Sequence, residues 1–381
     1  MASNEIVIIP LHQPISHPCN YIEKTAKIIS KKNQVIFFDY HFPYSWKNLF
    51  KKENFKKLIY SFSDILSSKK IIYFRAPSIL PLSRLNVAID LNKKLGFWIL
   101  SIFLWIFKKN VIVWQFYALI SKKIFKKQFF IYDCIDYMNL DDETKKFFYE
   151  EKKLFETSDL VSFNSVGLLK KKIETNPVVA KKSIAVVCGC DNKLFDTKKL
   201  SKKPIQISQK TILFVGIFDY RTDMDLLHYI VKNNHDLKFV FIGPISENIK
   251  EEFYHVTKEK NVRYIGEKTK NELASYLKSA NLGIIPYNSK SEFVKYSNPM
   301  KAYEYLSSGI PVVSTNILAL KDYPKDIVYT TDDKKDFSRA IKRLLNNWND
   351  KKTKSAKNIA EKNSWENKVN LMRKIINKSF S

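Results

Sequence analysis

One pattern constrains this 381-residue chain more than any other. A short apolar run, a turn and a stretch with helical spacing of apolar residues recur from end to end. In the first half the runs Ile6–Ile9, Val35–Asp39, Ile71–Phe74, Val111–Phe116, Phe129–Asp133, Leu160–Asn164 and Ile184–Val187 read as strands, with helical patterns such as Asn20–Lys31 and Thr144–Glu156 between them. The runs are continuous in apolarity rather than alternating. Both faces of the sheet are therefore buried, which calls for parallel strands covered by helices on each side. A polar, Lys-rich segment at 196–210 reads as a linker. The alternation then restarts with strands at Thr211–Val215, Phe239–Ile242, Val262–Ile265, Leu282–Ile285, Pro311–Ser314 and Ile327–Tyr329, and helices near Met224–Asn233, Asn271–Ser279, Pro299–Ser308 and Lys335–Asn346. The expected architecture is α/β, with two Rossmann-like parallel-sheet domains facing a cleft. The first spans 1–195 and the second 211–362. The tail within 363–381 reads as an amphipathic helix with no strand after it.

The charge is +27 and unevenly spread. Met1–Tyr132 holds 21 basic against 6 acidic residues, net +15; 133–199 holds 12 of each, net zero; the remainder carries +12. Such a field favours anionic partners, although Lys-rich composition alone accounts for part of it. No nucleic-acid motif accompanies the charge, so nucleic acid is not an expected partner. The run Leu95–Phe107, with Trp98 and Trp105 inside and Lys93–Lys94 and Lys108–Lys109 at its ends, is too short to cross a bilayer whose core is about 30 Å thick. It reads as a core helix or as a helix lying in a membrane interface. The run Glu5–Pro10 is short and lacks a basic leader, so no signal peptide is expected. Four scattered cysteines, Cys19, Cys134, Cys188 and Cys190, suggest a reducing compartment, and neither they nor the acidic pairs Asp141–Asp142 and Asp332–Asp333 make a metal site.

In open α/β sheets, ligands sit beyond the carboxyl ends of the strands. Gly216, Gly243 and Gly266 each follow a strand there, as expected of a rim that a ligand approaches closely. No G-x-G-x-x-G or Walker A motif exists, which excludes the usual dinucleotide and P-loop chemistries. The stretch SNPMKAYEYLSSGIPVV (297–313) reads as a helix entered through Ser297 and Asn298 as caps, with Pro299 first and Gly309 ending it. A helix N-terminus attracts phosphate. Lys301 in the first turn is unfavourable against the helix dipole unless an anion is bound there. Glu304, on the same face, offers a carboxylate that accepts two hydroxyl hydrogen bonds, as from a ribose; the plainer alternative is a Lys301–Glu304 surface pair.

That stretch resembles the nucleotide-sugar-binding signature of GT-B glycosyltransferases, K-x-x-E-Y-L-A-x-G-x-P-V-V. VRYIGEKTKNELASYLKSANLGIIPY and FVGIFDYRTDMDLL resemble other parts of that donor domain. IYDCIDYM resembles an acceptor-domain segment of bacterial cell-surface polysaccharide transferases, VVCGCDNKLF their N-G-V-D-x-x-x-F segment, and SWENKV their final crossing helix. The resemblance implies a nucleoside-diphosphate sugar, first of all a UDP-sugar, with no further cofactor and no metal. It implies donor contacts from Gly216, Arg221, Gly266, Glu267, Tyr296, Ser297, Asn298, Met300, Lys301 and Glu304. Tyr296 stands where many retaining members have Glu, and Glu292 is not equivalent. In this the chain is more similar to the membrane-associated xanthan-type glucuronosyltransferase, an inverting enzyme, whose catalytic aspartate matches Asp136. His12, His17 and Asp133 are further candidates on the acceptor side. The expected activity is transfer to a lipid-linked glycan in capsule, lipopolysaccharide or related synthesis, at the cytoplasmic face of the plasma membrane. Retaining transfer, nucleotide-sugar epimerisation and non-enzymatic binding of an anionic polymer are the alternatives.

Overall fold

The computed structural model describes residues 5–11, 20–39, 63–65, 67, 69–75, 86–106, 110–117, 128–137, 145–187, 189–195 and 210–380. The chain divides into two compact units. One comprises Met1–Phe163, Leu169–Val186 and Val369–Ser381, the other Asn164–Leu168 and Val187–Lys368.

The first unit holds β1 (Ile6–Pro10), β2 (Gln34–Asp39), β3 (Ile71–Arg75), β4 (Val111–Gln115), β5 (Gln128–Cys134), β6 (Leu160–Phe163) and β7 (Ser183–Ala185) in the order β3-β2-β1-β4-β5-β6-β7. Every pairing is parallel. Strands such as Ile6–Pro10 and Val111–Gln115 are buried along their whole length, as their unbroken apolarity requires. The helix Asn86–Ile106 is longer than the apolar run that signals it. It buries Phe97, Leu100 and Leu104, and Phe97 stacks on Phe38 of β2 with ring centroids 3.7 Å apart. Its other side exposes Leu91, Trp98, Ile102 and Trp105. One face thus belongs to the core, and the other is apolar and exposed among the described residues. Among the described residues no helix is long and apolar enough to cross a membrane.

The last helix, Trp365–Phe380, begins in the second unit and returns to the first. Val369, Met372 and Ile376 join the core formed by Val7, Ile9, Ile22 and Ile112. Arg373 donates to the Ile28 and Ile29 carbonyls at 3.3 and 3.0 Å, capping the end of the helix Asn20–Ile29.

The second unit holds β8 (Thr211–Val215), β9 (Lys238–Ile242), β10 (Val262–Tyr264), β11 (Leu282–Ile285), β12 (Val312–Ser314) and β13 (Val328–Thr330), ordered β10-β9-β8-β11-β12-β13 and all parallel. Residues 187–195 cluster with this unit rather than ending the first. The reason is local: the Ser307 and Ser308 hydroxyls donate to the Asn192 and Phe195 carbonyls at 3.0 and 3.2 Å, and Phe195 is buried in the second core. In both sheets the strand order reverses once, at β1/β4 and at β8/β11. A ligand crevice opens at such a switch point, because the flanking loops leave in opposite directions.

Candidate functional site

The β8/β11 switch is where the second unit gathers its chemistry. Gly216 directly follows β8 with φ +144°, a conformation that disfavours any side chain. A Cβ placed on it would collide with the end of the Lys301 side chain. Lys301 therefore lies across the Gly216 backbone. Its Nζ donates to the Tyr287 hydroxyl at 2.5 Å, and Tyr287 follows β11. One lysine so spans both loops of the switch. Arg221 approaches the same Tyr287 ring at 6.0 Å. Its guanidinium is held by Asp219 through Nε at 2.9 and 3.0 Å and Nη2 at 2.5 Å, so much of its charge is already answered.

The helix behind Lys301 runs Met300–Ser307. Its caps differ from the sequence expectation. Pro299 occupies the N-cap position and has no capping side chain. The Ser297 hydroxyl donates backwards to the Val294 carbonyl at 2.8 Å. Asn298 is buried, accepts from the Tyr303 hydroxyl at 2.9 Å and donates to the Asn164 carbonyl at 2.8 Å, all within the second unit. Both polar side chains are thus consumed by the protein, a correction to their reading as caps. The consequence is useful: the amides of Met300 and Lys301 find no acceptor among the described residues. Two N–H groups without an acceptor among the described residues and an ammonium beside Gly216 are the kind of donors that an anion needs. The far end of the helix follows expectation. Gly309, at φ +83°, donates to the Leu306 carbonyl, and Ile310 donates to that of Tyr305, a Schellman closure.

Glu304 is half-buried, and its carboxylate makes no hydrogen bond or ion pair among the described residues. The Lys301–Glu304 surface pair is not formed; Lys301 turns to Tyr287 instead. Burial raises the Glu304 pKa above its ordinary value, against the pull of the Lys270 and Lys301 charges, and nearby Asp191 adds to the rise. The same crowding pushes the buried Cys190 thiol up to about 12, chiefly by burial and then by the Glu304 and Asp191 charges. A half-buried carboxylate without donors is suited to accept hydroxyl protons from a ligand.

Tyr305, the neighbour of Glu304, locks the frame. Its hydroxyl accepts the Val215 amide at 2.9 Å, one residue before Gly216, and its ring fills the space that a Cβ on Gly283 would need. Gly266 has φ +76° and faces open space, and Glu267 beside it is exposed. Tyr296 is buried rather than open to a ligand.

The first-unit candidates separate. Asp136 lies two residues past β5 and is half-buried. Asp133 is fully buried inside β5, where its oxygens accept from Trp114 Nε1 at 3.2 Å and Ser162 Oγ at 2.7 Å. It ties neighbouring strands together, which corrects its place among acceptor-side candidates. His12 and His17 lie outside the described residues. Tyr287, Lys270 and Asp191 are the contributors that sequence reasoning missed. Only Tyr287 carried a usable signal, as a polar aromatic directly after a switch-point strand.

Residues 196–363 match the family described as glycosyl transferases group 1. TuaH of Bacillus subtilis, whose name assigns it to glycosyl transfer in teichuronic acid biosynthesis, is 25% identical over 253 residues. The match covers 62% of this chain and 63% of that protein, so the chain spans less than two thirds of its relative's length. The sucrose-phosphate synthase of Thermosynechococcus elongatus superposes with a TM-score of 0.70 at 16% identity, covering 99% of each chain. HepE of Anabaena, solved with UDP and glucose, superposes with a TM-score of 0.60 at 12% identity, covering 98% of this chain and 99% of that one. The two-domain GT-B fold is thereby shown.

Proposed function

We propose that this chain is a glycosyltransferase of GT-B fold that moves a sugar from a nucleoside-diphosphate sugar to a glycan acceptor in cell-surface polysaccharide synthesis. The observation that carries the reading is the meeting of two free helix amides, Lys301 and Gly216 at the switch point of the second sheet, with the unpartnered Glu304 on the same helix. The diphosphate takes the Met300 and Lys301 amides and the Lys301 ammonium. The ribose hydroxyls take Glu304. UDP is the first candidate, in keeping with the UDP named for HepE, and Gly266 and Glu267 are the candidate neighbours of the base.

The proposed chemistry is an inverting displacement. The acceptor hydroxyl oxygen forms a bond to the anomeric carbon as the bond from that carbon to the diphosphate oxygen breaks. Asp136 takes the hydroxyl proton, and the electron pair leaves on the diphosphate. Lys301 and the helix amides stabilise that leaving charge, so no metal is required. The acceptor is read as lipid-linked. The open face of the helix Asn86–Ile106, with Trp98 57% and Trp105 66% exposed, supports a bilayer contact, and the basic first third of the chain supports anionic lipid.

The test is incubation with UDP-sugars and membrane lipid extract, followed by mass spectrometry of products and by UDP release. Sugar transfer that falls steeply in Asp136→Asn supports the reading. Epimerised donor without transfer would replace it, and full activity of Asp136→Asn would remove Asp136 as base.

A further inference from the structure

Behind Asp136 the first unit buries a charged cluster that the proposed reaction does not use. Lys172 Nζ donates to Glu151 Oε2 at 2.6 Å, with side chains only 4% and 2% exposed. Glu151 Oε1 accepts the Tyr132 hydroxyl at 2.7 Å and meets Cys134 Sγ at 3.5 Å. Tyr132 and Cys134 belong to β5, the strand that leads into Asp136. Glu151 comes from the helix Lys145–Thr157 and Lys172 from the helix Val166–Thr175. Burial, before any neighbouring charge, drives the Tyr132 and Cys134 pKa values well up, so both stay protonated donors.

A buried ion pair is a poor source of stability, since desolvation of both charges offsets most of their attraction, and apolar replacement is often neutral or favourable. Its contacts suggest another use. Cys134 Sγ also meets the Asp136 carbonyl at 3.5 Å, and the Lys172 ammonium faces the Tyr137 ring at 5.0 Å. Asp136 and Tyr137 are thus tethered, the first through the thiol and the second through the lysine, and both tethers run to Glu151.

We propose that Glu151 and Lys172 are positioning residues that fix the Asp136–Tyr137 segment in its working geometry. This rests on the reading of Asp136 as the base. Misplacement of a reacting group by about 1 Å costs roughly 100-fold in rate, so loss of the pair acts on turnover and leaves the donor site of the second unit alone.

The test uses the full chain with the double substitution Glu151→Leu and Lys172→Met, which replaces the pair by apolar groups without stranding one charge. The expected result is a cooperatively folded protein, lower in stability only by what the orphaned Tyr132 hydroxyl costs, an unchanged donor KM, and kcat lower by about 10- to 100-fold. Tyr137→Leu, at a half-buried position, removes one tether and lowers kcat in the same sense; it decides the matter if the double variant does not fold. Wild-type kcat in a stably folded double variant, or in Tyr137→Leu, overturns the proposal. Asp136→Asn measured alongside separates the two failures. If it stays active the base assignment falls, whereas if it is inactive and the double variant is not, only the positioning role falls.

Discussion

Replacing Lys301 by Met sets two roles of one side chain against each other. In the folded protein its ammonium donates to Tyr287 and lies over Gly216, in the first turn of the helix Met300–Ser307. The helix dipole disfavours a cation there by about 0.3–1 kcal/mol, while the Tyr287 hydrogen bond contributes about 0.5–1.5 kcal/mol. These terms oppose, so the ligand-free protein should change in stability by less than about 1 kcal/mol. Binding carries no such cancellation. A hydrogen bond to a charged group contributes about 1.5–3 kcal/mol, which corresponds to UDP affinity weakened about 10- to 150-fold. Calorimetry reads that directly. Thermal unfolding reads it independently: at UDP one hundred times the wild-type Kd, a ligand-induced stabilisation of about 2.7 kcal/mol should shrink to about 0.3–1.3 kcal/mol. Unaltered UDP affinity combined with a clear loss of ligand-free stability would refute the reasoning and make Lys301 a tether between two loops.

Three further outcomes follow from the same geometry. Gly283→Ala drives a Cβ into the Tyr305 ring and threatens its bond to the Val215 amide, so denaturant unfolding should show a loss of about 2–5 kcal/mol from overpacking and an orphaned amide. Glu304 has its pKa raised by burial, so between its ordinary and raised values the folded state binds more protons than the unfolded one, and stability falls as pH rises through that window. Glu304→Gln should therefore stabilise the ligand-free protein at neutral pH; UDP affinity of the wild type should fall on acidification through the same window, and that of Glu304→Gln should not. Trp98→Ala with Trp105→Ala should lower co-sedimentation with anionic liposomes and leave UDP binding intact; wild-type binding that ignores lipid charge and added salt would remove the membrane contact.

Strands were the most legible part of the chain, because a strand buried on both faces has to be written as an unbroken apolar run. Thr211–Val215 and Leu282–Ile285 emerge with the bounds that pattern gives them. Polar helices were less so. Asp350–Lys362 packs against the helix Met300–Ser307, yet the residues it buries are small, Ala356 and Ala360, and it carries almost no apolar stripe to reveal it. In the candidate site, Gly216 and Gly309 were readable because a glycine straight after a strand or at a helix end declares a positive φ, which both adopt. Asn298 and Ser297 misled: a capping residue is defined by what its side chain meets, and here Val294, Asn164 and Tyr303 outcompete the helix amides. Asp133 misled for a related reason, since a carboxylate at a strand end looks catalytic until Trp114 and Ser162 from neighbouring strands are seen to hold it. The Glu151–Lys172 pair joins two helices far apart in sequence, and no local pattern announces it.

The most direct test of the account is amide hydrogen exchange of the full chain with and without saturating UDP. The amides of Met300 and Lys301 find no acceptor among the described residues and should be the ones most slowed by ligand, together with the segment after Gly216. Exchange in the groove lined by His228, His255 and Glu252 on the same unit should not change. Protection confined to that groove, with Met300 and Lys301 exchanging as fast as before, would contradict the assignment of the diphosphate site and of the function built on it.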